Sequence, residues 1–180
     1  MIELPAEPGS YALELLLLET IELQIGRLGR FAFPAGAYLY LGSACGPGGL
    51  RARLGRHLLP PEARRVRWHI DALRLAAVPR ALGYIIYGRS ASIDRPVECL
   101  WSQALSGQPG SAIPAPGFGA RDCRCGCLAH LVAFPSAGAA RNPLLAECAL
   151  QELLARTAAP ICGWCTASLV CHSLSPEVKW

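Results

Sequence analysis

The stretch Ala37-Tyr-Leu-Tyr-Leu-Gly-Ser-Ala-Cys-Gly-Pro-Gly-Gly-Leu-Arg-Ala-Arg-Leu-Gly-Arg-His57 brings phenols, guanidinium groups and an imidazole close together in the chain. Its first half is apolar and aromatic, of β character, and ends at Gly42. A glycine-rich turn follows, then a run in which Arg53 and His57 stand four residues apart, on one face of a helix. A strand delivering Tyr38 or Tyr40 beside a helix that carries Arg53, Arg56 and His57 could grip a phosphodiester. Arginine offers a bidentate fork for phosphate, and histidine carries protons near neutral pH.

A second dense group is Cys123-Arg-Cys125-Gly-Cys127-Leu-Ala-His130. Three thiols and an imidazole are the ligand types of a tetrahedral Zn2+ site, although the spacing differs from C-x2-C knuckles. Buried or site-lining thiols are the other reading. Cys45, Cys99 and Cys148 read as small buried hydrophobes. Cys162-Gly-Trp-Cys165 lacks the strand-then-helix setting of a thioredoxin motif. In Trp68-His-Ile-Asp71, Asp71 reads as a cap or an arginine partner, with His69 half-buried beside Trp68.

The elements that must position these groups are legible in outline. Gly9 to Leu18, Ile21 to Ile25, Arg30 to Phe33 and Ala37 to Gly42 read as strands joined by connections too short for parallel crossovers. A helix spans about Leu50 to Leu59 and is stopped by Pro60-Pro61. A second helix begins at Trp68, with Trp68, Leu75 and Ile70 or Leu73 turned inward, and Pro79 ends it. Ala81 to Tyr87 is a strand. Arg95 to Leu105 is a helix with Asp94 as its cap and Pro96 in its first turn. Ser106 to Gly119 is a loop, His130 to Phe134 a last strand, and Pro143 to Thr157 an amphipathic helix. The expected fold is α/β, in the α+β sense: a small, central, mainly antiparallel sheet flanked by helices. Residues 1–135 form the domain, and 136–180 add a C-terminal helix and a cysteine-containing tail.

The composition, 52% hydrophobic and 17% charged over 180 residues, excludes a disordered chain and suits one core. No apolar run has the length of a bilayer span, and the acidic, proline-bearing start is unlike a signal peptide. A cytoplasmic protein with mostly reduced thiols, and no membrane partner, is expected. The net charge of +4 is unevenly placed. Residues 1–26 hold acidic groups and no basic one, whereas Arg27 to Arg95 is rich in arginine, as a phosphate-binding surface requires. Arginine is also this chain's default cation, with Lys179 the single lysine.

Gly9-Ser-Tyr11, followed by Tyr40-Leu-Gly42 and Arg53-Leu-Gly-Arg-His57, resembles the GIY-YIG nuclease superfamily. Gly-Arg-Leu-Gly-Arg-Phe, Phe-Pro-Ala-Gly, Gly-Pro-Gly-Gly-Leu, Trp-His-Ile-Asp, Glu-Cys and Gly-Phe-Gly-x-x-Asp-Cys-x-Cys resemble its Uri-like branch over roughly residues 9–134. The resemblance implies a metal-dependent DNA endonuclease. Its catalytic residues would be Tyr11, Tyr40, Arg53, His57 and Glu98, with Glu98 holding Mg2+ or Mn2+. Arg51, Arg56 and His69 would contact substrate, and Cys123, Cys125 and His130 would share a further role. Two departures stand out. Twenty-eight residues separate Tyr11 from Tyr40, a longer gap than the family's, with Ile21–Phe33 as an insertion. Ser10 also occupies the apolar middle position of the first motif. Two rival readings are a nucleic-acid-binding module of the same fold without catalysis and a zinc-stabilised interaction protein built on Cys123–His130.

Overall fold

The computed structural model describes residues 4–63, 65–87, 96–135, 161–166 and 171–172. Strand β1 (Gly9–Leu17) lies in the middle of the sheet, and eight of its nine residues are buried. A strand covered on both faces needs apolar groups at odd and even positions, which is why this segment reads as an almost continuous hydrophobic run. Strand β2 (Ile21–Ile25) and β3 (Gly29–Phe33) follow as an antiparallel hairpin. They form a separate two-stranded sheet. Alternate hairpin residues face solvent, and Ile25 and Phe33 anchor it in the core.

Strand β4 (Gly36–Ser43) returns beside β1, with Tyr11 opposite Gly42 and Leu13 opposite Tyr40. Strand β5 (Val78–Ile86) pairs with the other edge of β1 and β6 (Leu131–Pro135) with β4. Two further strands, β7 (Ile161–Thr166) and β8 (Cys171–His172), extend the sheet beyond β5. All these pairings are antiparallel, and the strand order is β6-β4-β1-β5-β7-β8.

The helices are α1 (Gly49–Leu58), α2 (His69–Leu73) and α3 (Val97–Ser106). Leu13, Leu15, Leu17 and Tyr38 bury one sheet face against Leu50 and Leu54 of α1, Ile70 and Leu73 of α2, the hairpin and Phe118. Ala12, Leu39, Leu41, Ile85 and Val132 bury the other face against Trp101 and Leu105 of α3. Each large side chain removed from water contributes about 1.5–3 kcal/mol before entropy is subtracted. The expected α+β architecture, a mainly antiparallel sheet flanked by helices, is what the chain forms.

Several local expectations are corrected. The second helix is only five residues long. Its buried apolar residues are Ile70 and Leu73, whereas Trp68 and Leu75 are 38% and 52% exposed. Trp68 sits at the N-cap and offers its ring to two arginines. Strand β5 begins at Val78 and runs through Pro79. The register shift opposite Leu15 accommodates a residue that cannot donate to the ladder. Pro96, not Asp94, directly precedes α3; Asp94, Cys148 and the expected helix Pro143–Thr157 lie outside the described residues. Cys99 is buried as expected, but Cys45 is exposed. Among the described residues no helix is long and apolar enough to cross a membrane.

Candidate functional site

Because the hairpin diverts the intervening chain, the long gap between Tyr11 and Tyr40 costs the site nothing. β1 and β4 remain direct neighbours, and the two rings meet with centroids 6.2 Å apart. Gly42 is required at its position for space: a Cβ there would come within 2.4 Å of the Tyr11 ring and hydroxyl. β6 pairs with β4 only over Gly36–Tyr40. The Leu41 N–H then reaches the His130 carbonyl. Beyond that point no strand among the described residues lies beside the β4 edge, and a cleft of about 530 Å³ opens round the strand end.

Tyr11, Tyr40, Gly42, Arg53, Glu98, Asp122, Cys123, Arg124, Cys125 and His130 are among the residues lining this cleft. Groups from β1, β4, α1, α3 and the loop before β6 therefore converge. Arg53 and His57 share one face of α1, as their spacing predicts, but at different depths. His57 is buried, and its Nε2 lies 2.7 Å from the Tyr11 hydroxyl. Tyr11 and Tyr40 also share a hydrogen bond, so the line runs Tyr40–Tyr11–His57.

Burial dominates the electrostatics of these groups. It raises the Tyr11 phenol well above its ordinary value, with neighbouring Tyr40 adding to the shift and Arg53 opposing it. Tyr40 is pushed up to about 12 by burial, again opposed by Arg53. Burial lowers His57 to about 3, Asp71 opposes this, and Arg53, Arg74 and Arg56 add to the fall. His57 is thus neutral at physiological pH rather than the group titrating near neutrality that sequence suggested. In the tautomer protonated on Nδ1, its Nε2 accepts from Tyr11.

A stability prediction follows. The native His57 resists a proton that the unfolded chain takes up below about 6.5, so its contribution is intact above that pH and lost as pH falls toward about 3. Each unit of acidification in that window costs up to about 1.4 kcal/mol. Denaturant midpoints measured between pH 7 and pH 5 should fall for the parent and fall less for His57→Gln. Equal slopes would show that His57 protonates freely in the native protein.

Glu98, in the first turn of α3, is 8% exposed, and its Oε2 accepts a 2.6 Å hydrogen bond from Ser10 Oγ. Ser10 is therefore part of the site, bonding the carboxylate and also the Tyr87 hydroxyl. Its signal in the sequence was a polar residue near the start of a mainly apolar strand. A single well-anchored carboxylate facing a polar cleft, with Asp122 on the same lining, fits a hard cation that keeps several waters and shares the rest of its shell with phosphate oxygens.

The three expected substrate contacts lie away from the cleft lining. Arg51 Nε donates to the Leu4 carbonyl at 2.9 Å. Arg56 pairs with Asp71 at 2.6 Å and borders a separate groove with Arg65 and Arg67. Asp71 is structural: it accepts from Arg56 and from the backbone N–H groups of Arg67 and Trp68. Burial works against its ionisation, but these bonds prevail and lower its pKa. His69 Nδ1 accepts from the Gly119 N–H at 3.1 Å and so braces the loop rather than the cleft. Gly119 itself has a φ of 71° and would press a Cβ to within 3.1 Å of the Tyr40 ring. Arg74, which sequence gave no reason to single out, is buried and donates to the carbonyls of His57 and Ala77.

Against one wall stands a group of three cysteines and a histidine that could bind a metal: Cys99, Cys123, Cys127 and His130, with ligand atoms all within 4.8 Å of one another. Cys125, expected in this role, is outside the group, and Cys99, expected as packing, is inside it. Gly126, with φ 75°, lets the short loop turn back on itself, and the Cys125 N–H points at Cys123 Sγ, 3.4 Å away. Burial opposes ionisation of Cys123, but hydrogen bonds from the Cys127 and Cys125 backbone prevail and bring its thiol below the ordinary value. Burial raises the Cys99 thiol and lowers the His130 imidazole. The signal missed was adjacency: Cys99 directly follows the one carboxylate of α3.

Residues 10–153 match the model of a family described as a domain of unknown function, DUF123. No curated protein and no solved structure matches the chain.

Proposed function

We propose that this chain, which belongs to the DUF123 family, is a metal-dependent endonuclease that hydrolyses phosphodiester bonds in DNA. The observation that carries the reading is the convergence of Tyr11, Tyr40, Arg53 and Glu98 on one cleft, with His57 bonded behind Tyr11. These are the residues that the resemblance to GIY-YIG nucleases names, drawn from four separate elements.

In this reading Arg53 holds the scissile phosphate and offsets charge that builds up in the transition state. Tyr11 takes a proton from the attacking water as it passes its own to His57 Nε2. His57 becomes imidazolium for that step, an ion its burial disfavours, and returns the proton through Tyr11 to the leaving oxygen, so that neither tyrosinate nor imidazolium remains when the turnover ends. Glu98, steadied by Ser10, would hold one Mg2+ or Mn2+, which when bound supplies Lewis acidity toward the phosphate and the leaving oxygen. Tyr40 keeps Tyr11 in line and closes the wall beside Gly119.

Cleavage of duplex, single-stranded and flap DNA with and without Mg2+ or Mn2+ tests the reading. Nicking or cutting only with added divalent metal supports it; binding without cutting under every condition favours the non-catalytic module. Arg53 permits a sharper check. Its guanidinium already stacks 4.3 Å from the Trp68 ring centre, which holds its plane. Arg53→Lys keeps the charge but loses the fork and the stack, and should slow cleavage at least tenfold, about 1.4 kcal/mol. Parental turnover would remove Arg53 from the phosphate.

A second reading, a zinc-stabilised interaction protein, draws on the group of three cysteines and a histidine. It predicts tightly held zinc with no metal-stimulated cleavage.

A further inference from the structure

Cys99 comes from the first turn of α3, Cys123 and Cys127 from the loop, and His130 from the residue before β6. The Sγ atoms of Cys99 and Cys123 are 3.5 Å apart, and Cys99 Sγ lies 3.7 Å from His130 Nε2. A tetrahedral zinc with bonds of about 2.3 Å to sulfur and 2.0–2.1 Å to nitrogen sets its ligand atoms about 3.6–3.8 Å apart. A disulfide would bring the two sulfurs to about 2.05 Å. These two spacings match edges of a metal tetrahedron, and all four ligand atoms lie within 4.8 Å of one another. The His130 ring also hydrogen-bonds the Gly119 backbone, the kind of outer contact that fixes a ligating imidazole.

We propose that Cys99, Cys123, Cys127 and His130 bind one Zn2+ in a closed structural site, and that this ion fixes Glu98 for the divalent cation of the cleavage reaction. The zinc site rests on the four donors alone; its role toward Glu98 rests on the endonuclease reading. Four protein ligands leave no open position for substrate, so this zinc does no chemistry itself. Its effect is mechanical. Glu98 and Cys99 are consecutive, and the Cys127 thiol also donates to the Cys99 carbonyl at 3.7 Å, whereas Ser102 to the Ala129 carbonyl and Gln103 to the Cys125 carbonyl are ties from farther along α3. Both hold α3 beyond its first turn, and Cys99 is the group that pins the turn carrying Glu98. The same loop supplies Asp122, Cys123 and Arg124 to the facing wall of the cleft.

The test begins with the unaltered protein, purified reduced. Metal analysis should find one zinc per chain, and Co2+ replacement should give the ligand-field and thiolate charge-transfer bands of a tetrahedral site with three sulfur ligands and one nitrogen. Cys127→Ser should weaken zinc binding at least tenfold, Cys127→His should restore it, and Cys125→Ser, in the same loop, should leave it unchanged. Mn2+ binding in the cleft, followed by electron paramagnetic resonance without DNA, should weaken at least tenfold in zinc-free Cys127→Ser and recover in Cys127→His. A reduced parent protein that holds no zinc, a Cys99–Cys123 disulfide, or loss of zinc in Cys125→Ser would overturn the site. Unchanged Mn2+ affinity in the zinc-free protein would overturn the link to Glu98. Zinc binding with no nuclease activity would support the site while defeating the endonuclease reading, and cleavage by a zinc-free parent would do the reverse.

Discussion

Glu98→Gln should abolish metal-dependent cleavage, with a loss of roughly a hundredfold or more, about 2.7 kcal/mol of transition-state stabilisation. The amide keeps the side chain's size, and its oxygen can still accept from Ser10 Oγ, the contact that holds the carboxylate now. No cavity is created and no charge is newly buried, so the two mechanisms that most often unfold a variant are absent. The change removes a negative group from the first turn of α3, where the helix dipole favours it, at a cost of about 0.3–1 kcal/mol. That is small beside the expected kinetic loss. DNA affinity should hold or rise slightly, because a carboxylate beside a phosphate repels it. The measurement is single-turnover cleavage together with DNA affinity and a melting curve. Parental cleavage would remove Glu98 from the metal, and a collapsed melting temperature would make it a structural residue.

Tyr11→Phe should produce the second large effect. The ring still covers Gly42 and fills the core, so packing changes little. What disappears is the hydroxyl between Tyr40 and His57. Loss of a positioned proton acceptor costs about 10²- to 10⁴-fold, whereas leaving His57 Nε2 without its partner costs about 1–3 kcal/mol of stability. The variant should therefore remain folded and bind DNA yet cut very slowly. In the parent protein, the rate between pH 6 and pH 9 should carry no inflection from His57, whose burial holds it neutral throughout. An inflection near 6.5 that vanishes in His57→Gln would show a titrating imidazole and sink the relay. A Tyr11→Phe protein with parental turnover would do the same by a different route.

The sequence made the strands legible where one face is wet or the turns are sharp. Ile21 to Ile25 alternates cleanly because the hairpin is half-exposed, and glycines at 26 and 29 mark its turn. β1 was read from Leu13, Leu15 and Leu17 alternating with Glu14, yet Glu14 is buried as well, so that alternation does not mark a wet face. The short α2 misled because Trp68 and Leu75 have helical spacing and core-like side chains, yet Trp68 is held outside by cation–π contacts with Arg53 and Arg56. The site was legible in parts. Arg53 and His57 could be placed on one helix face from their spacing, but not the depth that leaves one lining the cleft and the other sealed behind Tyr11. The group that could hold a metal was only partly legible, because nearness in sequence favoured Cys125. Three-dimensional convergence brings Cys99 instead, from a helix well before the loop.

The β2–β3 hairpin has a kinetic consequence as well as a structural one. β1 and β4 are joined only through it, and a bare flexible connection would have to be closed against its full entropy before Tyr11 and Tyr40 could meet. A hairpin of this kind forms locally in about 1–10 μs. Once zipped from Ile25–Gly29 back to Ile21–Phe33, it delivers Leu17 and Gly36 almost to their final register and removes most of that loop from the search. The central strand pair then folds with the economy of a local contact, whereas β5 and β6 must still arrive from far along the chain. The hairpin that separates the two tyrosines in sequence is thus the segment that speeds their meeting.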